Sequence, residues 1–302
     1  MDPSSIPSHT QKLLRQIEQA IREYALLPAG GRVLVAISGG PDSVFLAWAL
    51  RELGYEIGLA HINYQLRGED SEREEALVRQ YAQDWGVPLF VQRADPRPLV
   101  ELGQDSLQMV ARKIRYTFFE ETMAGEAYAQ CATAHHQDDQ LETLVMQWLR
   151  GNPQHPMPGI PRQRGAYVRP LLDLTKADIL RSLEELQLPF GLDQSNTKQA
   201  YLRNQIRHRL IPIMRDLQPQ LNRQLVARHA WLGGQQQFID QLLERELPAA
   251  LRPQGPVEEL SWGDFLAEYG PDALPLLVQA ALHRWGIRGH LGQACQDLID
   301  SE

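Results

Sequence analysis

Apolar residues return along this chain in two rhythms. Leu13, Leu14, Ile17, Ile21 and Leu26 recur at helical spacing, so the chain is expected to open on an amphipathic helix over 11–26. Gly30 and Gly31 end it. Residues 32–38, Arg-Val-Leu-Val-Ala-Ile-Ser, form a short β-branched run of the kind found in buried parallel strands. The alternation then repeats. Helices are expected over 42–53, 71–85, 106–123 and 137–149, and strands over 57–63, 88–92 and 130–134. Strands and helices that alternate at this spacing predict an α/β fold built on a doubly wound parallel sheet. Such sheets bind ligands at the carboxyl ends of their strands, near the point where the strand order reverses. Residues 151–170 are rich in proline and glycine and read as a long loop. A helix over 175–186 follows, with Thr175 as its N-cap. After Pro219 the strand rhythm stops. Two helices are expected, over 220–247 and 273–285, with a domain boundary near 216.

Composition changes this picture little. Hydrophobic residues make up 43% and charged residues 23% of 302 residues, the ordinary globular mixture. Cys131 and Cys295 form no CxxC pair, so a disulfide framework, a zinc knuckle or an iron–sulfur site is poorly supported. The first ten residues lack the features of a secretory signal, and no apolar run approaches a membrane span. These points predict a cytoplasmic protein with no membrane partner. The net charge of −8 argues against a nucleic-acid ligand when averaged over the surface, but local basic clusters decide such binding.

Five segments carry candidate chemistry. The first is Ser38-Gly39-Gly40-Pro41-Asp42-Ser43, between a strand and a helix. Two glycines let the backbone approach a ligand, and the free N–H groups of the next helix favour an anion there. Ser38 and Ser43 add hydroxyl donors. Asp42 suits an anion site only if a divalent cation bridges it to phosphates. No lysine follows the glycines, so this is not a Walker A loop. The second segment is Thr133-Ala-His135-His136-Gln-Asp138-Asp139-Gln-Leu-Glu142-Thr143. It puts two histidines and two aspartates at a helix start, either to suit the helix dipole or to bind metal and move protons. The third, His61-Ile-Asn63-Tyr-Gln-Leu-Arg67, is by itself a polar loop after a strand. The fourth, Ala111-Arg112-Lys-Ile-Arg115-Tyr116, puts two arginines on one helix face. The fifth runs from Asp193-Gln-Ser195-Asn196 through Tyr201-Leu-Arg203-Asn204-Gln-Ile-Arg207-His208-Arg209. Lys198, Arg203, Arg207, Arg209 and Arg215 make a basic run with no acidic residue between them, a local candidate for phosphate contacts.

Taken in order, these segments resemble the N-type ATP pyrophosphatases over about residues 30–215. SGGPDS resembles their pyrophosphate-binding loop. HHQDD with Glu142-Thr143, ARKIRY, and DQSN followed by YLRNQIRHRLIP resemble segments of the tRNA(Ile)-lysidine synthases in particular. The resemblance implies a Rossmann-like catalytic domain over 1–215 and a smaller all-helical domain over 216–302 that binds tRNA or substrate. It implies ATP contacts by Ser38, Gly39, Gly40, Pro41, Asp42, Ser43, His61 and Arg67. Asp42, Arg115, His135 and Asp139 are implied as catalytic, with His136 and Asp138 as supports and Arg115 preferred to Arg112 beside ATP. Arg203, Asn204 and Arg207 are implied to touch tRNA or substrate, and Asp42 to hold Mg²⁺. Asn63 stands where the family commonly has a second histidine.

The implied reaction has two steps. The wobble cytidine of a tRNA(Ile) with a CAU anticodon attacks ATP through O2 and releases pyrophosphate. The ε-amine of L-lysine then displaces AMP from the adenylated cytidine. ATP with Mg²⁺ is the implied co-substrate, with no prosthetic group, and the resemblance leaves a homodimer open. The length resembles the short form of the family. A tRNA thiolase on the same scaffold, a silent nucleotide- or tRNA-binding protein, and an enzyme adenylating a small molecule are the alternatives. The scarcity of cysteines weighs against the first.

Overall fold

The computed structural model describes residues 6–101, 106–150, 159–191, 202–254, 257–260, 263–270 and 273–284. The chain divides into two compact units, one made of the described residues up to 226, the other of those from 227 on.

In the first unit the expected alternation appears as α1 (Ser8–Glu23), β1 (Arg32–Ala36), α2 (Pro41–Glu52), β2 (Glu56–Asn63), α3 (Glu69–Trp85) and β3 (Leu89–Arg93). A short α4 (Arg97–Glu101) and α5 (Leu107–Glu126) follow, then β4 (Cys131–Ala132) and α6 (Gln137–Arg150). Strands β5 (Gln163–Arg164) and β6 (Tyr167–Val168) precede α7 (Lys176–Glu185). The unit closes on α8 (Leu202–Gln205), one π-helical turn (Ile206–Leu210) and α9 (Ile211–Leu217). The sheet order is β3-β2-β1-β4-β6-β5, parallel except for the β5–β6 edge. From β1 the chain winds outward through β2 to β3, then crosses back to β4 on the other side of β1. The order therefore reverses between β1 and β4, and a cleft opens at their carboxyl ends.

Side-chain alternation along β1 explains why both faces need cover. Val33 and Val35 join the core packed by α1, α2, α3 and α7, while Leu34 joins a second core with Phe119 and Met123 of α5. Helix α2 is buried from Ser43 to Leu50, which its run Val-Phe-Leu-Ala-Trp-Ala-Leu requires. Cys131 lies on the second core face and is buried. A third cluster joins Leu141 and Val145 of α6 to Ile206 and Ile211, so the acidic start of α6 faces the basic segment after 202.

Two expectations are corrected. The stretch read as a loop over 151–170 contains the β5–β6 hairpin, which turns through Gly165 at φ +58°. The buried pair Tyr167-Val168 then pairs with β4 and extends the sheet. Residues 151–158 lie outside the described residues. The region after 216 is not all-helical. Between α10 (Leu221–Ala250) and α11 (Gly263–Tyr269) stands an antiparallel ribbon of β7 (Leu251–Gln254) and β8 (Val257–Leu260). Pro253 hid it, yet a two-stranded ribbon tolerates proline because each strand has one unpaired edge. Leu243, Leu247, Leu251, Phe265 and Leu277 of this unit, the last in α12 (Leu274–Arg284), form its own core.

At position 63 the structure gives a packing role. Buried Asn63 donates to Glu75 Oε2 at 2.9 Å and accepts from the Gln65 N–H at 2.9 Å. Burial would raise the pKa of Glu75. Hydrogen bonds from Arg93, Asn63 and Arg79 overcome this and hold it at about 2. A carboxylate depressed on folding contributes stability that is complete above its unfolded value, near 4.5, and is lost as pH falls towards 2. That gap is worth about 2 kcal/mol once screening of the half-exposed arginines is allowed for. Thermal unfolding at pH 5 and pH 3 should therefore show a smaller drop in Glu75→Gln than in the parent. Equal drops would remove Glu75 from the acid response.

Candidate active site

Three helix starts converge on the cleft. The loop from β1 to α2 runs through Gly39 at φ +89°, a left-handed conformation that L side chains rarely adopt. A Cβ there would also stand 3.4 Å from the Glu74 Cβ. The loop is stitched from inside. The Ser43 hydroxyl donates to Gly40 O at 2.9 Å and accepts from the Ser38 N–H at 3.1 Å. Ser38 Oγ lies 3.1 Å from Ser43 Oγ and accepts from the Gly40 N–H at 3.3 Å. The Gly191 N–H donates to Gly39 O at 2.9 Å, tying the far side of the loop to the chain after α7. Pro41 opens α2 at a position where its missing N–H costs nothing.

Asp42, in the first turn of α2, receives two bonds from the Lys176 ammonium, at 2.6 Å and 2.7 Å. The His136 Nε2 lies 3.6 Å from Asp42 and 3.5 Å from Asp139, and its Nδ1 lies 3.7 Å from Asp138. His136 is buried among these three carboxylates. Burial pulls its pKa down, but the close Asp42 carboxylate and the charges of Asp139 and Asp138 leave it raised. Asp42 responds in kind. Burial would raise it, and His136 and Lys176 hold it below the usual carboxylate range.

His135 behaves oppositely. Burial, with Arg169, Arg203 and His136 nearby, pushes it well below the ordinary imidazole value against the pull of Asp139. Its Nδ1 lies 3.2 Å from the Thr133 hydroxyl. Asp139 accepts from the His136 backbone N–H at 3.1 Å and from Arg203 at 3.1 Å, with Arg207 at 3.5 Å. His135 and Asp139, expected as a catalytic pair, make different hydrogen bonds. Asp139 engages His136 and the arginines, and His135 stands on the cleft wall beside Thr133.

Glu142, one turn along α6, is 1% exposed and accepts from Arg203 at 2.7 Å and from Arg207 at 2.5 Å and 3.0 Å. Asp138 accepts from Arg215 and from the Lys176 backbone N–H, the latter at 2.8 Å.

Two cavities, of about 480 Å³ and about 620 Å³, are both lined by Ser38, Gly40, Asp42, Asp139 and Arg207. The first extends over Ala60 and Ile62 of β2 and is closed by Tyr64, Arg112, Arg115 and Tyr116; His135, Arg203 and Asn204 also line it. There Arg115 donates to the Tyr64 hydroxyl at 3.2 Å, and Arg112 lies over the Tyr116 ring at 4.7 Å. Pro41, Arg67, His136, Glu142 and Lys176 line the second. Arg67 pairs with Glu74 at 2.6 Å. His61 lines neither cavity. It is buried, with Nδ1 2.9 Å from Ile37 O, and braces the turn after β1. Asp193, Ser195, Asn196, Lys198 and Tyr201 lie outside the described residues.

Lys176 escaped the sequence reading. Its signal was its sign: a lysine in the first turn of a helix opposes the helix dipole and calls for a nearby anion.

A glycine cradle at a helix start, at the switch point of a parallel sheet, with arginines closing the cleft, defines an α/β domain built to hold phosphate. A family model described as a PP-loop domain matches residues 9–214, and the chain belongs to that family. It is 34% identical over 245 residues to a tRNA(Ile)-lysidine synthase of Bacteroides thetaiotaomicron, covering 81% of this chain and 57% of that protein. It is 37% identical over 234 residues to a tRNA(Ile)-lysidine synthase of Porphyromonas gingivalis, covering 77% and 52%. The chain spans about half the length of these curated relatives. A U34-tRNA thiolase, NcsA, from Methanococcus maripaludis shares the fold with a TM-score of 0.59 at 16% identity, over 75% of this chain and 80% of that one. Among the described residues no helix is long and apolar enough to cross a membrane.

Gly39→Ala forces a strained backbone at the cradle and is expected to cost about 1–3 kcal/mol. Thermal unfolding measures this directly, and an unchanged midpoint would show that the loop relaxes freely.

Proposed function

We propose that this chain catalyses ATP-dependent ligation of L-lysine to C2 of the wobble cytidine of a tRNA(Ile) with a CAU anticodon. The observation that carries this reading is that the phosphate cradle and the cluster of Asp139, Arg203 and Arg207 line one continuous set of walls. The names of the relatives point the same way.

In the first step a bond forms between cytidine O2 and the α-phosphorus of ATP, and the bond to the bridging oxygen of pyrophosphate breaks. The loop N–H groups and the start of α2 receive the departing charge. Arg112 and Arg115 offer positive charge at the wall of the smaller cavity, where the nucleoside and α-phosphate fit against Ala60 and Ile62. In the second step the lysine ε-amine bonds to C2, the C2–O2 bond breaks and AMP leaves. The amine proton passes to a base, for which His135 and Asp139, both on this wall, are the proposed groups. Arg203, Asn204 and Arg207 are the side chains proposed to meet the tRNA or substrate.

Mg²⁺ needs few protein ligands, since phosphate and water complete its shell. Asp42 and Asp139 line both cavities and make that minimal set; among the described residues no group of three or more ligating side chains occurs. Held by Asp42, the cation would neutralise charge on the departing pyrophosphate. The protein is proposed to act in the cytoplasm.

The test is incorporation of labelled L-lysine into a tRNA(Ile) transcript with ATP and Mg²⁺, beside an elongator tRNA(Met) transcript. Labelling of the first alone is expected. Exchange between ATP and pyrophosphate that persists without tRNA, with no lysine labelling, would move the reading to small-molecule adenylation.

A further inference from the structure

We propose that Lys176 is a built-in counter-ion. It occupies the Asp42 carboxylate in the ligand-free protein and passes to the diphosphate end of the nucleotide when a divalent cation takes that carboxylate. This rests on the reading above that the loop holds the diphosphate.

Position comes first. Lys176 is the first residue of α7, whose N-cap Thr175 accepts from the Asp178 N–H at 3.1 Å. The partial positive charge of a helix start disfavours an ammonium there. Only an anion close by makes the site tolerable, and Asp42 supplies it, with both oxygens inside 2.7 Å of Nζ.

Mobility comes second. The Lys176 backbone is fixed, because its N–H donates to Asp138, which Arg215 also holds. Its side chain is not sealed in. It is 34% exposed and lines the larger cavity. A four-carbon stem on a fixed root lets the ammonium swing without disturbing α7.

Charge matching comes third. In the larger cavity Arg207 is matched by Glu142, and Arg215 by Asp138. Neither depends on Asp42 for its partner. His136 also faces Asp42, but it is buried and keeps Asp138 and Asp139 around it. Lys176 is the cation matched to the carboxylate proposed to bind the metal. A dication arriving at Asp42 would face an ammonium at hydrogen-bond distance, and this repulsion penalises metal without phosphate. A diphosphate bound on the loop offers the ammonium new acceptors and removes the penalty. The pair thus favours joint entry of metal and nucleotide over entry of metal alone.

A plain brace between α2 and α7 would look the same in the ligand-free protein, so the test uses effects of opposite sign. Mn²⁺ binding without phosphate is measured by electron paramagnetic resonance. Binding of inorganic pyrophosphate with Mg²⁺ is measured by calorimetry. Wild type, Lys176→Met and Lys176→Arg are compared, with thermal unfolding of each to show that it is folded. In Lys176→Met, Mn²⁺ affinity is expected to rise several-fold while pyrophosphate affinity falls about tenfold or more, the loss of one charge-assisted contact. Lys176→Arg should restore most of the pyrophosphate affinity. A brace alone would weaken Mn²⁺ binding, or leave pyrophosphate binding unchanged, and either result overturns the inference. Failure of the wild type itself to bind pyrophosphate would instead overturn the phosphate reading of the loop.

Discussion

Asp42→Ala is expected to lower lysine transfer to tRNA on the order of 10³-fold or more while leaving the protein folded. The argument lies in what surrounds the carboxylate. Asp42 lies between the Lys176 ammonium at 2.6 Å and the His136 imidazole at 3.6 Å, at the mouth of the loop proposed to receive pyrophosphate. Without it no carboxylate remains on that loop for a metal, and the Lys176 ammonium loses its partner. Stability should suffer far less. Lys176 is partly exposed and can return to water, and His136 retains Asp138 and Asp139. About 1–2 kcal/mol is the expected cost, a few degrees in midpoint. Asp42→Asn preserves the shape and an acceptor for Lys176 but not the charge, so it should melt close to wild type and still fail in turnover. Parallel measurement of labelling rate and unfolding midpoint separates the two effects. A large midpoint drop with modest loss of rate would make Asp42 a packing residue.

The parts of this site that the sequence disclosed are those made by neighbours in the chain. Ser38 to Ser43 had to be a turn between a buried strand and a buried helix, and the glycines, hydroxyls and free N–H groups followed from that. The start of α6 was legible for the same reason, since Asp138 and Asp139 suit a helix N-terminus whatever else they do. Contacts across the fold were not legible. Nothing in the spacing of Lys176 and Asp42 shows that α7 starts beside α2, although the unfavourable sign of a lysine at a helix start signalled a distant anion. Glu142 was visible as an acid, but its arginine partners lie 61 and 65 residues away. His61 matched a motif bordering the nucleotide, yet the structure turns its ring onto Ile37 O, because a side chain's facing depends on its position in β2 and not on the motif. The β7–β8 ribbon was missed because proline in a short polar run argues against a strand until only one partner is required.

Glu142 offers the sharpest separation of structural from functional charge. Its carboxylate is almost wholly buried and answers two guanidiniums, which also reach Asp139. Removing one partner of such a cluster strands the others, and Glu142→Ala is expected to cost about 2–3 kcal/mol in urea unfolding, less than a sealed pair because both arginines touch solvent. Labelling should fall about 100-fold as Arg203 and Arg207 lose their pose. The two losses can be pulled apart. A buried ion pair replaced at both ends by neutral groups often recovers its stability. Glu142→Gln combined with Arg207→Met should therefore unfold nearer to wild type than Glu142→Gln alone. Activity should not recover with it, because Arg207 is proposed to contact substrate in its own right. If stability and labelling return together, Glu142 and Arg207 serve only to hold α6 against the π-helical turn, and the substrate contact must be sought at Arg203 or Asn204.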